Sequence, residues 1–217
     1  MTAVISPPRE HIILKSIHWE TYQSLVRDLG AQPSKRLTYD NGVLEIRMPL
    51  PPHERYKKWL GRLVEIITEE LGIEIASLGS CTWSREDLRK GLEPDECYYI
   101  QNETAVRGKE TITLSVDPPP DLAIEVDSTS SSLDRMGIYA ALGVPEVWRY
   151  DFKVMTFWVL VDGVYVSRET SIALLLVTAI AVQGLLSEAV NMGETSWARR
   201  VREFIASQSH SPKSAED

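Results

Sequence analysis

The sequence predicts a domain of the α/β (α+β) class: a central mixed β-sheet flanked by helices, with an N-terminal helix and hairpin and with further helices at the C-terminal end. Three observations predict it. Apolar residues recur at helical spacing in HERYKKWLGRLVEIITEELG, where Trp59, Leu63, Ile66 and Ile67 share one side and charges take the other. Asn41-Gly42, the preferred pair for a type I′ turn, sits between two strand-like runs in RLTYDNGVLEIRM. In DLAIEVDSTS, Leu122, Ile124 and Val126 alternate with Asp121, Ala123, Glu125 and Asp127, so one face of a strand is apolar and the other carries carboxylates.

The 217 residues suit one domain with appendages, and 43% hydrophobic residues with six Trp are ordinary for a globular protein. The net charge of -8 argues against a general nucleic-acid coat and leaves room for a local basic groove. Cys81 and Cys97 lack CxxC spacing and make no disulfide framework; both read as small core residues in strands. MTAVISPPRE has no basic region followed by a long apolar stretch, so no signal peptide is expected. The most apolar segment, IALLLVTAIAV at 172–182, falls short of the about 20 residues that span a bilayer and reads as a buried helix. The expectation is a soluble, cytoplasmic protein without a membrane partner.

In chain order, residues 1–15 read as an extended arm, because Pro7 and Pro8 exclude regular pairing. A helix follows over Trp19–Leu29, stopped by Gly30. The hairpin spans 36–48, MPLPPH is a linker, and the second helix spans 53–72, ended by Gly72. IEIAS and the segment around Cys81 to Trp83 read as strands, SREDLRKGLEPD as a polar turn, and CYYI as a strand. Beyond the strand at 121–127, SSLDRMGIYAALG reads as a helix capped by Ser131 or Ser132 and closed by Gly143. EVWRYD and VMTFWVL read as strands, VDGVYV turns through Asp162-Gly163, and 171–190 and 194–207 read as helices. The main domain is thus expected over 16–207, with a disordered tail over 208–217.

Two acidic clusters carry the chemistry. Glu93, Asp95 and Glu96 crowd GLEPDECYYI, and residues 121–151 hold six acids against Arg135 and Arg149. Packed carboxylates repel one another unless a divalent cation neutralises them, and hard oxygen ligands suit magnesium or manganese better than zinc. If Asp95 and Glu125 meet on neighbouring strands, a cation between them can grip a phosphate oxygen and lower the pKa of a bound water. Those are the needs of phosphodiester hydrolysis.

EPD at 93–95, PPDLAIEV at 119–126 and IYAALGVPEVW at 138–148 resemble the Uma-two family of restriction-endonuclease-type proteins, within the PD-(D/E)xK nuclease superfamily. The resemblance covers about residues 16–205. It implies a restriction-endonuclease-like fold and a DNA endonuclease that works as a homodimer. By position, Asp95 and Glu125 would be ligands of Mg2+ or Mn2+. Glu65 would match a helical glutamate of some members, Asp121 would stand behind the ligands, and His53 would lie near the substrate. The sequence departs from the pattern where Asp127 holds the lysine position of (D/E)xK. In this family the lysine is typically moved to the next helix, four residues before a tyrosine; counting back from Tyr139 gives Arg135. Arginine can hold phosphate but cannot act as a base. Lys57, Lys58 and Lys109 are other sources of positive charge.

Plainer roles stand beside these. Asp95 can serve a turn, and Asp127 can cap the turn that follows it. Glu65 shares a helical side with Glu54, Lys58 and Glu69, a solvated face, and Arg135 can sit on a wet helix face. His53 can be a loop or cap histidine. Glu125, in the middle of an apolar strand, must be paired or metal-bound. The alternative to a nuclease is a catalytically impaired nuclease fold that binds nucleic acid or protein. A small-nucleotide phosphohydrolase is weaker, because no Gly-rich phosphate loop is present.

Overall fold

The computed structural model describes residues 11–29, 35–126 and 133–209. Among these, eleven strands form two sheets. The first sheet contains β1 (His11–Leu14), the hairpin strands β2 (Arg36–Asp40) and β3 (Val43–Arg47), and β5 (Trp83–Arg85) and β6 (Lys90–Leu92), in the order β1-β3-β2-β6-β5. Its hairpin turns at Asn41 (φ 46°) and Gly42 (φ 91°), both left-handed as a type I′ turn requires. The helix α1 (Trp19–Leu29) covers this sheet through Trp19 and Tyr22, which pack on Tyr39.

The second sheet is the central one. It contains β4 (Ala76–Ser77), β7 (Glu96–Tyr99), β8 (Leu122–Val126), β9 (Glu146–Tyr150), β10 (Met155–Val161) and β11 (Val164–Arg168), in the order β11-β10-β9-β8-β7-β4. It is mixed: β8 and β9 run parallel, and the other pairs are antiparallel. The parallel pair needs a crossover, which α4 (Arg135–Leu142) supplies. On one face lie α2 (Pro51–Leu71), α5 (Ala179–Ala189) and α6 (Glu194–Ser209), which share a core with Ile124, Val126, Trp148 and Phe157. On the other lies α4, whose Ile138, Tyr139 and Leu142 join Cys97, Ala123 and Val147 with Trp83 and Leu92 of the first sheet. The two sheets therefore meet through α4 and through the short chain between β6 and β7. A one-turn helix, α3 (Glu103–Val106), completes the described elements. The α+β class with a helix-flanked mixed sheet is thus observed.

Several local expectations are corrected. The polar stretch 84–92 is not one turn but holds a hairpin, because β5 and β6 pair antiparallel across residues 86–89. Of IEIAS, only Ala76–Ser77 is strand. Cys97 is buried in β7, but Cys81 is exposed and precedes β5; its thiol donates to the Leu78 carbonyl of the same turn. The arm does pair, with β1 antiparallel to β3. The linker's Pro51 and Pro52 open α2, where missing N–H groups cost nothing. The segment IALLLVTAIAV is helical only from Ala179. Before it, the Thr170–Thr178 bridge and the bonds from Ser171 N to Val177 O and from Ala179 N to Glu169 O close residues 171–177 into a loop, which Glu146 holds by the amides of Ile172 and Ala173. The cap of α4 is Asp134, which accepts from Gly137 N at 2.9 Å. Ser131, Ser132, Asp127 and residues 210–217 of the expected tail 208–217 lie outside the described residues, and Gln208 and Ser209 belong to the last helix. Among the described residues no helix is long and apolar enough to cross a membrane.

Candidate active site

The antiparallel pairing of β7 with β8 sets Glu96 against Ile124. One step outward, Asp95 falls opposite Glu125, with Asp95 N donating to Ile124 O at 3.1 Å. Asp95 Oδ2 accepts from Val126 N at 2.7 Å and faces His53 Nε2 at 3.0 Å. His53 comes from the first turn of α2, which crosses the end of the sheet there. Both acids are about as buried as core residues, each 4% exposed.

Arg135 opens α4 and reaches the middle of the first sheet, at β2 and the end of β6. Its guanidinium donates to Glu125 Oε1, to Thr38 Oγ1 on β2 and to the Glu93 carbonyl, the last at 2.9 Å. Tyr139, one turn further along α4, donates its hydroxyl to the same Glu125 Oε1. Glu125 is thus paired, by Arg135 and Tyr139 of α4. Arg135 lines a cleft of about 200 Å³ together with Asp95, His53 and Glu93; Glu125 lies behind Arg135. The hairpin ends Arg36 and Arg47 line the same cleft, and Met48, Pro49, Leu50, Pro52 and Phe152 form its apolar wall.

The electrostatics follow from burial set against partners. Burial pulls the His53 imidazole down, but the hydrogen bond and charge of Asp95, with Glu54, hold it above its ordinary value. Burial pushes Asp95 up, and its hydrogen bonds from His53 and Val126 N and the Arg135 charge outweigh that, leaving it below the usual carboxylate range. Glu125 is held above that range, since burial and the neighbouring Asp95 charge exceed the pull of Arg135. Arg135, facing Glu125 and Asp95, stays cationic.

The other acids disperse. Glu93 takes Leu37 N and the Thr82 hydroxyl, and Glu96 turns to the opposite face toward Lys57 Nζ at 3.8 Å. Asp121, at the far end of β8, accepts from Ile100 N and from Asn102 N and Nδ2, so it holds a loop away from the Asp95–Glu125 pair. Glu65 is exposed on α2 on the Glu96 side. Lys58 is exposed, and Lys109 pairs with Asp117. Asp127 is not described. Of the expected site residues, the structure therefore brings Asp95, Glu125, Arg135 and His53 together and leaves Asp121 and Glu65 apart. Among the described residues no group of three or more His, Cys, Asp or Glu is arranged to hold a metal ion.

Arg36, Arg47, Thr38 and Tyr139 are cleft or pair residues that motif reading passes over. Two signals point to them. Tyr139 is four residues from Arg135 on one helix, hence on the same side. Counting outward from the Asn41-Gly42 turn places Arg36 directly opposite Arg47.

The fold and site define a mixed-sheet α+β protein with a carboxylate pair beside an arginine-lined cleft. The family model of Uma2, described as "Putative restriction endonuclease", matches residues 19–185. The chain belongs to that family. A crystal structure of a putative nuclease of DUF820 from Anabaena variabilis ATCC 29413 is similar, with a TM-score of 0.48 and 11% identity, over 68% of this chain and 89% of that one. No curated protein matches the chain.

Proposed function

We propose that this chain is a metal-dependent endonuclease that hydrolyses DNA phosphodiester bonds, with Asp95 and Glu125 as ligands of magnesium or manganese and Arg135 as the charge on the phosphate. The observation that carries this reading is the register that sets Asp95 opposite Glu125 beside a cleft that Arg135 lines. The donor set fits the ion. Among the described residues the hydrogen bonds of the two carboxylates fall on Asp95 Oδ2 and Glu125 Oε1. Magnesium keeps several waters and needs only one or two carboxylates.

A divalent ion held there polarises a phosphate oxygen and acidifies water. The chain's own residues do the rest. His53 fixes the Asp95 rotamer through Nε2 and shares its charge. Arg135 stabilises negative charge on phosphorus oxygens as water adds and the ester oxygen leaves. The apolar wall of Pro49, Leu50 and Phe152 keeps the dielectric low around these charges. By analogy with nucleases that place one site on each strand of a duplex, the working form in this reading is a homodimer, in the cytoplasm with its DNA.

One observation favours a second reading, an impaired nuclease fold that binds nucleic acid or protein. Arg135 and Tyr139 already satisfy Glu125 Oε1, and no base stands where the family's lysine would be. Calorimetric titration with Mg2+ and Mn2+, paired with plasmid nicking, separates the two. Wild type is expected to bind metal and nick, and Asp95→Asn and Glu125→Gln to lose both. Metal binding without nicking in wild type supports the impaired fold; no metal binding overturns the metal site itself.

A further inference from the structure

The hairpin β2–β3 ends in two arginines that face each other. Arg36 and Arg47 are direct cross-strand partners, so their side chains leave the same face of the sheet. Like charges directly opposite destabilise a hairpin. Here both side chains line the cleft that contains Asp95, His53 and Arg135. The Arg47 charge is felt at His53 and at Glu125, and the Arg36 charge at Glu93. Three guanidiniums and an imidazole thus converge on one cleft, against the carboxylates of Glu93 and Asp95, in a chain whose net charge is -8. A cationic focus in an acidic protein is suited to one kind of occupant, a polyanion that would otherwise be repelled.

The cleft also has the wrong chemistry for a carboxylate metabolite alone. Its far side is apolar, formed by Met48, Pro49, Leu50 and Phe152, which suits the sugar and base flanking a phosphodiester. A guanidinium presents five donors, so each arginine can keep its protein contacts and still receive a phosphate oxygen. We propose that Arg36 and Arg47 form a two-arginine clamp that seats the phosphodiester backbone of DNA in the cleft, next to Asp95. This rests on the nuclease reading and adds to it the residues that position the strand; the two arginines are positioning residues, not catalytic ones.

The test is binding of a labelled duplex in chelator, where no cutting occurs, followed by anisotropy across a salt series. Each contact to phosphate contributes a slope of about 0.9 in log K against log salt. Arg47→Gln and Arg36→Gln are each expected to weaken binding about tenfold and to lower that slope by about one, as loss of a phosphate contact does. Arg47→Lys should keep the slope while losing part of the affinity, because the charge stays and the fork is lost. Arg168→Gln, an exposed residue on the edge strand β11, is the control and should change neither. Arg36 is buried, so a melting curve accompanies its variant, and Arg47, which is half-buried, decides the matter if the Arg36 variant unfolds.

A slope unchanged in the Arg47 variant overturns the clamp, as does a wild type that binds no duplex. Displacement of the duplex by inorganic phosphate at an equal phosphate concentration also overturns it, since that marks a free-anion site. The nuclease reading fails separately. If wild type never nicks plasmid while the slopes fall as expected, the clamp stands and the activity does not. If wild type nicks and the slopes stay unchanged, the activity stands and the clamp does not.

Discussion

Arg135 is the residue on which stability and the proposed activity pull in different directions. Its fork holds Glu125, Thr38 and the Glu93 carbonyl at once, and it is 8% exposed. Arg135→Ala leaves a buried carboxylate without its counter-charge, so a loss of about 3–5 kcal/mol is expected in urea melts. Adding Glu125→Gln should recover part of that loss, because the stranded charge is gone. Arg135→Lys keeps the charge but cannot reach three acceptors, so a smaller loss of about 1–3 kcal/mol is expected. If the missing base limits the wild type, the same lysine should raise plasmid nicking by about 100-fold or more. A lysine variant that is folded and no faster would show that the arginine is not the handicap.

His53 and Asp95 make a second prediction at the same scale. The histidine is held above its ordinary value of 6.5, so its contribution is fully present below that pH and is lost as pH rises through the folded value. The aspartate is held below its ordinary value of 3.8, so its contribution is present above that pH and is lost as pH falls through the depressed value. The pair is therefore worth most between those two ordinary values. The difference in Tm between wild type and His53→Gln, measured in chelator, should peak in that window and shrink above and below it. A flat difference across pH would mean that the contact carries no charge.

At the scale of elements, Glu146 shows how a buried acid can be wholly structural. It opens β9 and accepts from Ile172 N at 2.9 Å, Ala173 N at 2.7 Å, Ser171 Oγ at 3.1 Å and Trp148 Nε1 at 2.7 Å. These bonds pin residues 171–174 against the sheet, while the Thr170–Thr178 bridge turns the chain back before it can become helix. Glu146→Ala strands four donors, and each buried orphan costs about 1–3 kcal/mol. A total loss of at least about 3 kcal/mol is expected, together with faster hydrogen exchange at residues 171–174 than at β9. Equal protection of the two would mean that another group fixes the segment.

Glu146 also marks where sequence reading stops. The Asn41-Gly42 hairpin, the apolar stripe of α2 and the strand at 122–126 were legible, because each is fixed by local spacing. The pairing of Asp95 with Glu125 was legible through motif order. The fate of the remaining acids was not, since their partners lie far along the chain: Glu93 with Leu37, Asp121 with Ile100 and Asn102, Glu146 with 171–173. Crowding in sequence suggested repulsion awaiting a cation, and folding spread most of that charge among backbone donors. The hairpin β5–β6 was missed because its strands of three residues carry charges at the positions that would otherwise alternate. Arg36 and Arg47 were within reach, since a two-residue turn fixes its register.

At the scale of the whole molecule, the site is a joint between two sheets. Thr38 belongs to the first sheet, Glu125 to the second, and Arg135 ties them. Trp83 and Leu92 of the first sheet share a core with Ala123, Ile138 and Val147, so the joint is packed as well as charged. A joint of this kind should make the two sheets open together. Native-state hydrogen exchange is expected to give Leu37–Tyr39 and Leu122–Ile124 the same opening free energy in wild type, as one cooperative unit requires. In Arg135→Ala the amides of β2 should open at lower free energy than those of β8, because the core contacts remain and the tie does not. Arg36 and Arg47 stand on the first sheet and Glu125 on the second, so on the proposed clamp a variant that lets the sheets open separately should lose duplex affinity even where both halves stay folded. If β2 already opens below β8 in wild type, the two sheets are independent and Arg135 acts only within the pair it makes with Glu125.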